Sequence, residues 1–200
     1  EFSPRGEGVT LSAVYREENR IVVQGDLYDF HRLLSHIHQA IENAEYQDII
    51  LDMKECTSAF PGPMLSLCAQ VMAYRKSGID FSLEAPKDKK LFNLFQNTNW
   101  NHLLDPKKYD PSRFRGHSRI PATQYQTPVE QNEAVNKIVN VILGAIPDMQ
   151  RRDFAAFEWS INEITDNVLV HSDSAIGGLV QVSTFKKNSK QVQFVVADAG

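Results

Sequence analysis

In the first hundred residues, segments with the hydrophobic spacing of β-strands alternate with segments that have the spacing of helices. Residues 9–16 and 20–27 are β-branched runs around a polar turn, a pattern typical of a β-hairpin. The next segment carries apolar residues at the spacing of an amphipathic helix face, namely Phe30, Leu33, Leu34, Ile37 and Ile41. Strand patterns at 47–53 and 79–85 then alternate with helix patterns at 61–78 and 88–100. The order β-β-α-β-α-β-α predicts an α/β layer with a partly parallel central sheet.

The periodic pattern stops after residue 104. The stretch that follows is polar and contains prolines at positions 106, 111, 121 and 128, so we interpret it as a linker. Helix patterns at 129–146 and 152–171 come next, and strand patterns at 177–187 and 191–199 form an expected antiparallel pair. The sequence therefore predicts a first domain at 1–104, a linker at 105–127 and an α-α-β-β unit at 128–200.

Composition narrows the class of protein. With 42% hydrophobic and 23% charged residues, the chain has the composition of a globular domain. A net charge of -4 provides no basic field for direct nucleic-acid binding, and no segment predicts a membrane span. Cys56 and Cys68 do not form a C-x-x-C pair. We expect buried free thiols and a reducing, cytoplasmic location.

Polar residues recur every fourth position along the predicted helix at 152–171. Glu163, Asn167 and His171 share one stripe, whereas the apolar residues expected to face a core are Phe154, Phe157, Ile161, Ile164 and Val168. A carboxylate can activate a nucleophile, and an amide oxygen suits Mg²⁺. This stripe therefore suits a polyphosphate and its cation. The alternative is a solvated helix face, which is also our interpretation of Asp166.

A second polar signal stands at the end of the last strand pattern. Asp198 could accept a hydrogen bond from the exocyclic amine of a base, and Gly200 would let the backbone approach the ring closely. The alternative is an ordinary strand end followed by a turn.

Taken in order, E-x-x-x-N on a helix and D-x-G at a strand end about thirty residues later resemble the motifs of the GHKL ATPases. "NEITDNVLVH" is similar to their N box and "VVADAG" to the first of their glycine boxes. The resemblance implies the first part of a Bergerat-type α/β sandwich. It makes Glu163 the general base and Asn167 the Mg²⁺ ligand. It also implies that Asp198 and Gly200 contact adenine and that His171 lies near the phosphates.

The chain departs from that family after Gly200. GHKL domains continue into a lid and a second glycine-rich box that cover the phosphates, and neither is present here. Because the sequence lacks an initiator Met and stops just after a strand pattern, we expect it to be a piece of a longer protein. ATP and Mg²⁺ are expected for the complete domain, and the 200 residues are expected to be inactive.

The element order of the first half resembles the STAS domains of bacterial signalling proteins. In those domains a serine in a D-S-x-G turn accepts phosphate at a helix N-terminus. The corresponding turn here is "AFPGPM", with Pro61 in the place of the serine, while Thr57 and Ser58 precede the turn. We therefore expect a docking or scaffold module without a phosphorylation switch at that position.

The two resemblances together imply a bacterial regulatory protein in which a STAS-like module joins a histidine-kinase-like ATP-binding domain. It would act as an anti-sigma-factor-type serine kinase or an ATPase. Its expected partners are proteins, with STAS-like or sigma-factor-like chains and a homodimer as candidates. The alternative is a non-catalytic interaction protein whose ATPase-like half is a degenerate dimerisation surface.

Overall fold

A computed structural model describes residues 12–27, 30–114, 119–145, 151–185 and 191–200. The first half contains the strands β1 (Ala13–Glu17), β2 (Arg20–Asp26), β3 (Asp48–Ser58) and β4 (Asp80–Glu84). Its helices are α1 (Phe30–His38), which continues as a π-helical turn at Gln39–Asn43, α2 (Pro61–Lys76), α3 (Lys89–Asn97) and α4 (Trp100–Leu104). The second half contains β5 (Ile120–Tyr125), α5 (Pro128–Ala145), a 3-10 turn at Arg151–Phe154, α6 (Ala155–His171), β6 (Gly178–Phe185) and β7 (Gln191–Ala197). The predicted α/β class is confirmed.

The first sheet has the strand order β1-β2-β3-β4. The β1–β2 pair is the predicted antiparallel hairpin, whereas β2–β3 and β3–β4 are parallel pairs connected through helices. Every second residue in the first half of β3 faces the helices that cover this sheet. Ile49, Leu51 and Met53 are buried in the core that the helices cover, because successive side chains of a strand point to opposite faces.

The outer face of this sheet carries a cluster of four paired charges, which we call the outer-face cluster: Arg20, Asp52, Lys54 and Glu84. Arg20 donates to Asp52 at 2.8 Å and also to Glu84. Lys54 lies 3.3 Å from Asp52 and 2.9 Å from Glu84. Hydrogen bonds from Arg20 and then Lys54 lower the pKa of Glu84 to about 2. The cluster therefore links β2, β3 and β4 by charge.

The second sheet has the order β5-β6-β7, with both pairs antiparallel. The predicted β6–β7 pairing is observed, and β5 adds a strand inside the stretch that the sequence assigned to a linker. The two faces of this sheet belong to different cores. Leu179 lies in the core of the first half, while its neighbour Val180 packs with residues of α5 and α6.

Helix α2 is the element that joins the halves, because it packs against β6 and β7 as well as against β4. No residue from Pro61 to Arg75 is fully exposed. Nearby, the indole N–H of Trp100 donates to the Gln181 side chain at 2.8 Å, and both residues are buried. The first core thus contains residues from both predicted domains. The division at 104 and 128 stays a prediction.

Within the described ranges, no helix has the combination of length and apolar character that a bilayer span requires.

Candidate functional site

Helix α6 presents the predicted polar stripe on its surface. Glu163, Asn167 and His171 are exposed, as is Asp166. Successive members of the stripe are separated by about 6 Å along the axis, since a helix rises about 1.5 Å per residue. The side chains of the stripe make no hydrogen bond or ion pair with the described residues, so they are free to meet a ligand.

The predicted apolar face of α6 is only partly correct. Phe154, Ile161 and Val168 are buried as expected, but Phe157 is 47% exposed and Ile164 is 49% exposed. The reason is geometric: α5 and the second sheet cover one narrow side of α6, and that side includes Thr165 rather than Ile164. The two exposed side chains therefore lie beside the polar stripe on open surface.

A buried polar contact fixes the position of α6. The side-chain amide of Gln131 donates to the Thr165 hydroxyl at 2.9 Å, and that hydroxyl donates to the Ile161 carbonyl at 2.9 Å. The Tyr125 hydroxyl donates to the Thr165 carbonyl at 3.2 Å. Because all these partners are buried, leaving one unsatisfied would cost about 1–3 kcal/mol. Thr165 thus anchors α6 to both α5 and β5.

The C-terminal end of α6 meets the end of β7. A side chain at Gly200 would collide with the Ser172 carbonyl, so only glycine permits this approach of the two backbones. The Ala199 N–H also donates to the Ser174 hydroxyl at 3.3 Å. We call this place the α6–β7 junction, comprising residues 172–174 and 198–200. It brings the end of the helix motif next to the strand motif.

Asp198 lies at this junction and is partly exposed. Its Oδ1 accepts a hydrogen bond from the Gly200 N–H at 3.0 Å, which orients the carboxylate. Burial raises the pKa of the Tyr125 hydroxyl, and the negative charge of Asp198 raises it further. Tyr125 therefore stays protonated and continues to donate to Thr165 beneath the junction.

The contacts at the junction reach only the last turn of α6 and the residues after it. Glu163 lies two turns earlier, about 12 Å from His171 along the axis. Of the described residues, no group of three or more His, Cys, Asp or Glu side chains could hold a metal ion.

The sequence analysis did not identify Tyr125 as part of this region. Tyr125 stands in the predicted linker, where Pro121 and the neighbouring polar residues obscured a strand. The available signal was the apolar residues Ile120, Ala122 and Tyr125, of which only the first two keep the two-residue spacing of a strand.

In the first half, the turn before α2 is a poor site for phosphate. Pro61 and Pro63 have no N–H, and the Met64 N–H already donates to the Phe60 carbonyl at 3.1 Å. Only Gly62 can offer a free backbone donor among the first residues of the helix. The hydroxyls of Thr57 and Ser58 both donate to Oδ1 of Asp26, at 2.7 and 2.5 Å.

Both cysteines are buried free thiols, as predicted. Burial raises the pKa of Cys56 to about 11 and raises that of Cys68 as well. Because the thiolate is the reactive form, neither side chain is suited to nucleophilic chemistry.

Comparison with models of known protein families, with curated proteins and with solved structures gives no match for this chain.

Proposed function

We propose that the second half of this protein binds Mg-ATP along the α6 stripe and at the α6–β7 junction. The observation that carries the proposal is the close approach of Gly200 to Ser172, which sets the strand motif against the end of the helix motif. Motifs distant in sequence that meet on one surface are characteristic of a binding site.

The proposed roles follow from the chemistry of each group. Asp198 accepts from the adenine amine, and the bare backbone at Gly200 lies beside the ring. Asn167 supplies an amide oxygen to Mg²⁺, and His171 lies near the phosphates. Glu163, exposed and without a partner among the described residues, is the general base.

The first half acts in this proposal as a STAS-like docking module in a cytoplasmic bacterial signalling protein. The two prolines at the start of α2 support a docking role over a phosphorylation switch, because they remove the backbone donors that a phosphate would use. The phosphoryl group would pass to a serine of a protein partner or to water. A STAS-like chain, a sigma-factor-like chain and a second copy of this protein are the candidate partners.

A second candidate is a non-catalytic interaction protein. The observation that favours it is the exposure of Phe157 and Ile164 beside the polar stripe, because apolar side chains grouped on a surface suit protein association. In that case α6 would be a dimerisation or docking surface.

Isothermal titration of the full-length protein with ATP and Mg²⁺ separates the two candidates. Asn167→Ala should weaken Mg-ATP binding about tenfold, equivalent to ~1.4 kcal/mol, because the ion loses a ligand. Glu163→Gln should keep the affinity and lower turnover by about 10²–10⁴-fold, because only the general base is lost.

Asn132→Ala and Glu133→Gln serve as matched controls, since both residues are exposed on α5. Neither control should change binding or turnover. If Asn167→Ala and Glu163→Gln are as silent as the controls, the stripe is a solvated or docking face and the nucleotide proposal fails.

A further inference from the structure

A cavity of about 630 Å³ lies between the segment after α4, the start of β5 and the C-terminal half of α5. Its volume is in the range of small-molecule binding sites, roughly 300–1,000 Å³. It is far from the α6–β7 junction, because β5 begins at this cavity and ends at Tyr125, about 17 Å away along the strand. The lining residues that matter here are Asn99, Ser112, Phe114, Arg119, Lys137 and Asn140.

Among the described residues that line the cavity, Arg119 and Lys137 are cations and none is an acid. Within the described part of the chain, neither Arg119 nor Lys137 forms an ion pair with a carboxylate. Arg20, Lys54, Lys87 and Lys107 all do. Two uncompensated positive charges on one concave surface produce a local positive potential that attracts anions.

The Arg119 guanidinium is held in place by its surroundings. Its Cζ lies 5.0 Å from the centre of the Phe114 ring, and its Nε is buried without a hydrogen-bond partner. The buried Nε and the contact with the Phe114 ring restrict the rotation of the Arg119 side chain, so less conformational entropy is lost on binding. The planar group is thereby prepared for two-point recognition of an oxyanion.

One wall of the cavity is also fixed by hydrogen bonds. The side-chain amide of Asn99 donates to the Ala122 carbonyl at 3.0 Å, and its oxygen accepts from the Ser112 N–H at 2.8 Å. Asn99 belongs to the first half, whereas Ala122 on β5 and Lys137 and Asn140 on α5 belong to the second half. A ligand here would touch both halves.

We propose that this cavity binds a small organic phosphate. Arg119 and Lys137 contact the phosphate oxygens, and the Asn140 amide offers a neutral hydrogen bond. The apolar body of the ligand lies against Phe114 and the adjoining prolines. Because the site draws on both halves, binding holds them together and raises the thermal stability of the whole chain. The proposal does not depend on nucleotide binding at the α6–β7 junction.

Calorimetric titration with phenyl phosphate tests the proposal. The wild-type chain should bind it, and its unfolding midpoint should rise with phenyl phosphate concentration. Arg119→Gln and Lys137→Gln should each weaken binding about tenfold, because each removes one charge-assisted contact. Lys89→Gln, at an exposed lysine of α3, should leave binding unchanged.

Lys137 is exposed on a helix surface, so its substitution carries the test even if Arg119→Gln destabilises the fold. Absence of binding by the wild-type chain overturns the proposal. An equal loss of affinity in Lys89→Gln also overturns it, because phenyl phosphate would then be attracted by surface charge in general and not by this cavity. Inorganic phosphate binding as tightly as phenyl phosphate would rule out the role of the Phe114 wall and hence the organic ligand.

Discussion

The charges of the outer-face cluster are paired with one another, whereas Glu163 and Asp166 on α6 have no partner among the described residues. The Arg20 guanidinium contacts one carboxylate on β3 and another on β4. Glu163 and Asp166, by contrast, are exposed on a single helix. A paired charge contributes to the stability of the fold, and an unpaired one on the surface contributes almost nothing. We therefore expect that Glu163 and Asp166 can be replaced with little effect on folding.

The largest effect is expected when the outer-face cluster loses its arginine. Arg20→Ala removes a partner from Asp52, whose side chain is only 11% exposed, so we expect the free energy of unfolding to fall by about 2 kcal/mol. Urea denaturation measures the change. Lys87→Ala is the control: its pair with Glu55 is exposed at both ends, so its loss should lower the stability much less than Arg20→Ala does. Equal losses of stability in the two variants would mean that the lower exposure of the outer-face cluster does not make its ion pairs more stabilising than the exposed pair.

A smaller, pH-dependent effect is expected from Glu84→Gln. The pKa of Glu84 is lowered from 4.5 to about 2, so this carboxylate stabilises the fold above about pH 4.5 and loses that contribution as the pH falls toward 2. Since the side chain is 32% exposed and screened by water, we expect a loss of about 1 kcal/mol at pH 7.

The difference between Glu84→Gln and wild type should shrink steadily below pH 4.5 in denaturant titrations at several pH values. Glu55→Gln is the matched control, because Lys87 lowers its pKa at a fully exposed position. A difference that stays constant down to pH 2 would show that the ionised form of Glu84 is not what stabilises the cluster.

The smallest effect is expected on α6. Glu163→Gln and Asp166→Asn should each change the free energy of unfolding by no more than about 0.5 kcal/mol, because neither side chain has a partner to lose. The same denaturant titration applies. A loss above about 1 kcal/mol would show that the edge of α6 supports the fold, and the contrast with the outer-face cluster would disappear.

The sequence predicted most of the elements because their periods are long and regular. The hairpin, the parallel strands around α2 and the β6–β7 pair each follow from runs of five or more residues with one period. β5 was missed because Pro121 and a polar composition gave a linker pattern. α4 was merged with α3, since the break depends on Asn99 adopting a left-handed backbone at φ 71°, which no hydrophobic pattern reveals.

The candidate site was predictable only as a set of residues. The helix and strand motifs indicated Glu163, Asn167, His171, Asp198 and Gly200, but not the backbone approach at Ser172 that brings the motif ends together. The exposure of Phe157 and Ile164 could not be predicted, because the width of the covered face depends on how α5 packs. The burial of α2 on two sides is visible in its sequence. Its apolar face is wider than packing against one layer requires, and includes the buried residues Met64, Leu65, Leu67, Cys68 and Val71.

The two-sided burial of α2 has a consequence during synthesis. The ribosome completes α2 about 100 residues before β6 and β7, which cover its second side. At about 5–20 residues per second, that side stays without its native partners for on the order of 10 s during synthesis. During this interval the nascent first half carries an uncovered apolar helix surface. Transiently exposed apolar surface of this kind makes a folding intermediate prone to aggregate.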